Sequence, residues 1–151
     1  MVNFPAEWIE LIGLFVTHHV RFLVVGAHAV AAHGRPRATL DLDLWVEPTR
    51  ANATQVCAAL TDFGFAELGK AVDEFATPQR MVALGRQPLR IHIMTSIDGV
   101  SFDVAWEGSV AARLGGYDLR FLGKEQLIQN KRAARRPKDL LDIALLEEGQ
   151  D

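Results

Sequence analysis

The apolar and polar positions of this chain change period several times, and each change marks an element. Positions 6–18 carry Trp8, Ile9, Leu11, Ile12, Leu14, Phe15 and Val16 at helical spacing after Pro5, which predicts a helix with a broad apolar face. That face requires cover, either from a sheet or from a second copy of the chain. Phe22-Leu-Val-Val25 is a continuous apolar run of strand length, the signature of a strand buried on both faces. An alanine-rich segment, 27–33, reads as a short helix, and Gly34-Arg35-Pro36-Arg37 as a turn. Strict alternation returns over 40–46, where Leu40, Leu42 and Leu44 take one face and Asp41 and Asp43 the other.

Thr49 is a suitable N-cap for a helix over 49–60, with Gly64 close behind its end. Positions 65–77 read as loop with one helical turn. Strands over 80–84 and 89–94 form a hairpin-like pair through Gly85-Arg-Gln-Pro88. A short helix over 102–110, a strand over 118–122 and a helix over 124–135 follow. Pro137 forces a break before a last helix over 137–148. The fold class is therefore α/β, more strictly α+β: a small mixed sheet with helices packed on it and a helical C-terminus. With 151 residues, 49% of them apolar, one domain spanning 1–151 is expected, its core over about 22–122 and a helix pair over about 124–148.

Composition narrows the function classes. No apolar run reaches the length of about 18 residues needed to span a bilayer. The opening Met1-Val-Asn-Phe-Pro, with Glu7 and Glu10 behind it, lacks a basic signal region, so the cytoplasm is the expected compartment. The single cysteine, Cys57, excludes an internal disulfide and reads as a small buried hydrophobe. A net charge of −3 does not advertise nucleic-acid binding by the whole molecule. Locally, Lys131, Arg132, Arg135, Arg136 and Lys138 place five cations in eight residues, a patch for triphosphate or RNA backbone or simply a solvated helix surface.

The chemistry concentrates between Gly26 and Asp43. Two carboxylates on one strand face repel unless a cation lies between them, and a hard divalent ion with oxygen ligands suits the pair. Gly26 at a strand–helix junction lets backbone N–H groups come close to a phosphate. His28 lies beside that junction as a phosphate donor or as a partly buried polar residue, and Arg35 and Arg37 flank the turn before the carboxylates. Thr39 shares the Asp41 face.

The order of strand, Gly26-Ala27, helix and Asp41-x-Asp43 resembles the nucleotidyltransferase fold of the DNA polymerase β superfamily. It is most similar to small bacterial minimal nucleotidyltransferases and abortive-infection nucleotidyltransferase toxins. The C-terminal Lys131…Arg136-Pro-Lys138-Asp139-Leu-Leu-Asp142 is similar to the helix pair of those proteins, and the likeness runs over about 22–146.

The resemblance implies transfer of a nucleotide from a nucleoside triphosphate (NTP), with Mg²⁺ or Mn²⁺ on Asp41 and Asp43, to a hydroxyl of RNA or protein. Partners would include tRNA or a cognate protein, in a toxin–antitoxin or phage-defence setting. Gly26 and Ala27 would receive phosphates and Lys131 would reach the triphosphate, while Asp139 and Asp142 would cap the last helix and hold basic side chains. Two departures stand out. Ala27 replaces the usual second glycine or serine, and His92 stands on the strand where a third carboxylate is expected. Imidazole ligates Mn²⁺ better than Mg²⁺ and can serve as a general base near neutral pH. If it does not serve, the chain would be a nucleotide- or partner-binding module, for which Trp45 and the apolar first helix offer a surface.

Overall fold

In the computed structural model, residues 4–34, 39–85 and 88–148 are described. Seven α-helices accompany six strands: α1 (Ala6–Thr17), β1 (Phe22–Val25), α2 (Ala27–Ala32), β2 (Asp41–Val46), α3 (Arg50–Asp62), α4 (Val72–Ala76), β3 (Met81–Leu84), β4 (Arg90–Met94), α5 (Phe102–Glu107), β5 (Val110–Leu114), β6 (Tyr117–Phe121), α6 (Lys124–Ala134) and α7 (Pro137–Glu148). The strands form one mixed sheet in the order β3-β4-β2-β1-β6-β5. β2 runs antiparallel to β1 and parallel to β4, and β6 runs parallel to β1.

Strand periodicity builds a core on each side of this sheet. Phe22 and Val24 of β1, with Leu42, Leu44 and Val46 of β2, point to one face, where they meet Leu11, Ile12 and Phe15 of α1 and Val56 and Leu60 of α3. Leu23 and Val25, with Trp45, point to the other face and pack among Ala29, Phe102, Leu127, Ile143 and Leu146 of α2, α5, α6 and α7. All four β1 residues are buried because β1 is central and covered on both sides. The apolar face of α1 is thus spent inside the molecule, which removes the reason for expecting a second copy there. Trp45 is also fully interior, edge-on to Phe102 at 5.1 Å, and offers no surface to a partner.

Local chemistry sets most boundaries. The Thr49 hydroxyl accepts from the Asn52 N–H at 3.2 Å and starts α3. Pro137 opens α7, and Arg135, in the left-handed conformation at φ 55°, closes α6. Three segments differ from expectation. The short helix after Ser101 stops at Glu107, and Val110–Leu114 is an edge strand paired with β6. The hairpin turns at Gly115-Gly116, whose φ values of 60° and 89° are the positive pair a type I′ turn demands. Residues 65–77 hold a 3₁₀ turn at Leu68–Lys70 and the five-residue α4. Among the described residues no helix is long and apolar enough to cross a membrane.

Candidate active site

Asp41 and Asp43 occupy the first and third positions of β2, at the end of the sheet where β1 gives way to α2. Both are half-buried and share a face, with Leu42 between them in the opposite core. The Thr39 hydroxyl anchors the start of the strand by accepting from the Asp41 N–H at 3.1 Å. Gly26 pairs beside this point, since Val25 lies opposite Asp43 in the β1–β2 ladder.

The glycine has a geometric necessity that its place in a motif does not reveal. Its φ of 70° and ψ of −148° are almost closed to residues with a side chain. A Cβ built there would lie 2.1 Å from Oδ2 of Asp43. Gly26 therefore makes the room in which the Asp43 carboxylate sits, in addition to opening α2.

The other oxygen of Asp43 is engaged by β4. His92 lies directly opposite Asp43 in the parallel β2–β4 register. Its Nδ1–H donates to Asp43 Oδ1 at 2.8 Å. The strand chosen from the sequence thus does adjoin the carboxylates, and its histidine meets one of them. Asp43 is left with Oδ2 above Gly26, and the imidazole with Nε2.

A cleft surrounds these groups in two lobes that share Gly26, Asp41, Asp43, Arg136 and Lys138. One lobe, about 320 Å³, adds Ala27, Thr39, Lys131 and Asp142. The other, about 480 Å³, adds His92 and a wall from β3, β4 and the following loop.

The helix pair supplies the cations, but not as a continuous patch. Lys131 is only 5% exposed, and its ammonium sits between Asp142, at 2.9 Å, and Asp139, at 3.4 Å. Asp139 also accepts from Arg136, through Nε at 2.6 Å, Nη2 at 3.1 Å and the backbone N–H at 3.1 Å. Burial pushes the Asp139 carboxyl up, but the Arg136 hydrogen bonds and the charges of Arg136 and Lys131 outweigh it and hold the group below its ordinary value. Arg136 is raised in turn, chiefly by its bonds to Asp139. Arg132 faces away to Glu147. Of the five clustered cations, then, Arg136 and Lys138 present charge to both lobes. Lys131 forms the floor of one, with its charge already matched by buried carboxylates.

Other expected residues fall elsewhere. The His28 ring packs edge-on against Phe4 and Trp8, with centroids 5.7 and 5.5 Å away, and is not among the cleft-lining residues. Burial lowers its pKa, against the opposing pull of Asp43 and the Asp41 backbone. His33 donates through Nε2 to the Leu122 carbonyl at 2.9 Å, tying α2 to the end of β6. Arg35 and Arg37 lie outside the described residues. Lys138, read from the sequence as part of the basic patch, lines the cleft, and so do Asp98 and Asn130, for which no role was read. Lys138 stood in the basic run, whereas Asp98 and Asn130 gave no local signal.

Among the described residues, no group of three His, Cys, Asp or Glu side chains forms a ready-made metal cage. That does not disfavour Mg²⁺, which is commonly held by one or two carboxylates with substrate phosphates and water completing the shell.

No family model matches the chain, and no curated protein matches it in sequence. Solved structures do. The lincosamide antibiotic adenylyltransferase LnuA, bound to lincomycin, superposes with a TM-score of 0.57 at 13% identity over 99% of this chain and 100% of that one. A candidate nucleotidyltransferase of Thermotoga maritima superposes with a TM-score of 0.55 at 12% identity, covering 97% of this chain and 94% of that one. The chain has the nucleotidyltransferase fold.

Proposed function

We propose that this protein is a metal-dependent nucleotidyltransferase, moving a nucleoside monophosphate from an NTP to an acceptor hydroxyl. The observation that carries this reading is the Asp41/Asp43 pair at the junction of the two lobes, with Asp43 Oδ2 seated in the space Gly26 leaves. Hard carboxylate oxygens on one strand face, beside a cleft with room for phosphates, fit Mg²⁺, and the imidazole at His92 also makes Mn²⁺ acceptable. When bound by Asp41 and Asp43, such an ion supplies charge neutralisation on the phosphates.

The chain's own groups divide the remaining work. Backbone N–H groups at Gly26-Ala27, with Arg136 and Lys138, hold the β- and γ-phosphates in the smaller lobe. Lys131 positions Arg136 by fixing Asp139, which in turn holds the Arg136 guanidinium. On the opposite side, Asp43 orients His92 so that Nε2 accepts the proton of the acceptor hydroxyl. The freed oxygen attacks the α-phosphorus in line, and the bond to pyrophosphate breaks. A positioned base of this kind contributes roughly 10²- to 10⁴-fold in rate.

The LnuA neighbour is an antibiotic adenylyltransferase, whereas the toxin-like resemblance suggests tRNA or protein acceptors in a defence setting. Incubation with each α-labelled NTP, Mg²⁺ or Mn²⁺, and total tRNA or small hydroxylated acceptors tests the reading. Label transfer is expected, with Asp41→Ala abolishing it and His92→Ala lowering it roughly 10²- to 10⁴-fold. His92→Asp should retain activity well above His92→Ala, because a carboxylate can take the same proton. A second reading, a nucleotide-binding module without transfer, is favoured by one feature, the imidazole in place of a third carboxylate. Tight NTP binding with no transfer under either metal would establish that module instead.

A further inference from the structure

On the sheet face opposite the cleft lies a second concavity, of about 460 Å³. Its floor is Ile91 of β4, only 2% exposed, whose neighbour His92 points the other way and lines the cleft. Glu7 and Glu10, one helical turn apart on α1, supply its charge. Phe63 and Phe65, just past α3, supply an aromatic wall, and Gly85 at the end of β3 completes the lining.

The aromatic wall is held rigidly by the backbone. Gly64, at φ 100°, turns the chain as α3 ends, and the Phe65 N–H donates back to the Leu60 carbonyl at 2.9 Å. The Phe65 carbonyl accepts in turn from the Gly69 N–H at 3.0 Å. So fixed, Phe65 stacks on Phe63 with centroids 5.4 Å apart and planes 24° from parallel, yet it stays 37% exposed. Glu7 and Glu10 are exposed and make no ion pair among the described residues. Two like charges at this spacing repel, and nothing among the described residues compensates them.

We propose that this concavity receives an arginine side chain presented by a segment of a partner protein. The guanidinium lies on the Phe65 ring and donates to Glu7 and Glu10, while apolar neighbours of that arginine cover Phe63 and Ile91. Charge complementarity selects a cation, and the flat exposed ring beside carboxylates selects a planar fork over a compact ammonium. The open mouth selects a protein segment over a free small molecule. Glu7, Glu10, Phe65 and Gly85 are all exposed, and only Ile91 is buried, whereas a small-molecule pocket encloses most of its ligand. Nucleic acid is repelled, because its phosphates require cations and the concavity offers carboxylates. The site stands on the other side of the sheet from Asp41 and Asp43 and holds whether or not the chain transfers nucleotides.

The test titrates the full-length protein, isotope-labelled in its isoleucine methyls and phenylalanine rings, and follows the resonances of Ile91 and Phe65. The probes are acetyl-Leu-Arg-Leu-amide, the same peptide with citrulline or lysine in place of arginine, and free arginine amide. Both resonances should shift, with the arginine peptide bound about tenfold more tightly than the citrulline peptide and about twofold to threefold more tightly than the lysine peptide. The double variant Glu7→Gln, Glu10→Gln should erase the difference between arginine and citrulline, and Phe65→Leu the difference between arginine and lysine, each with the thermal midpoint retained. Equal binding of the arginine and citrulline peptides overturns the proposal, as does the absence of any shift at millimolar peptide. Free arginine amide binding as tightly as the peptide makes this a small-molecule site and overturns the partner segment. Shifts of Ile91 and Phe65 on dilution of the protein alone show that a second copy fills the concavity, and likewise overturn it.

Discussion

Gly26 shows how one side chain's absence positions another's reactive atoms. The residue joins a left-handed φ to a site where a methyl group would overlap the Asp43 carboxylate. Gly26→Ala should therefore destabilise the fold by about 1–3 kcal/mol. It should also lower transfer activity far more than stability alone explains, because relief of the clash displaces Asp43. Denaturant unfolding and label transfer on the same sample separate the two effects, and an alanine variant with normal activity would refute the account. His92 is the converse case. Its imidazole is held by an acid that also has a free oxygen for a cation, so one carboxylate serves two neighbours.

The α6–α7 hairpin is an element whose stability has been concentrated in charge. Lys131, Asp139 and Asp142 are almost fully buried, and removing one partner from such a cluster typically costs about 3–5 kcal/mol. The pH dependence follows from the direction of the Asp139 shift. Its folded-state value lies below the reference of 3.8, so its contribution is complete above that pH and is lost as pH falls through the lower folded value. Stability should accordingly decline in acid below about pH 4. Asp139→Asn should unfold more readily at neutral pH and show a flatter acid limb, as followed by thermal unfolding across pH. An unchanged acid limb would show that Asp139 is not the group being titrated.

For the molecule as a whole, the cleft is lined by residues of β1, β2, β4, α6 and α7, so a bound nucleotide should stabilise the entire fold. At ligand concentrations near 100 times Kd, the gain is about 2.7 kcal/mol, corresponding to roughly 5–10 °C in the thermal midpoint for a chain of this size. Magnesium with the preferred NTP should produce that shift, and Asp41→Asn should remove most of it. A wild-type midpoint insensitive to every NTP would argue against a nucleotide site.

The elements were legible wherever period and local chemistry agreed. Phe22–Val25 is apolar throughout because it is covered on both sides, and Asp41 and Asp43 share a face because successive strand residues alternate. Thr49 and Pro137 announced helix starts through their own backbone chemistry. The strand Val110–Leu114 was missed because Ala-Ala-Arg reads weakly as strand, although Gly115-Gly116 was the available turn signal.

Contacts between distant segments had no such local trace. The resemblance implied that Asp139 and Asp142 hold basic side chains, but nothing near Lys131 marks it as the buried cation they share, nor does His28 reveal the ring of Phe4 that will cover it. The pairing of Asp43 with His92 spans 49 residues and depends on the register of two strands. Periodicity and turn chemistry act within a few residues and are written along the chain. Which charges meet, and which one remains free to greet a ligand, depends on packing that brings remote segments within hydrogen-bond reach.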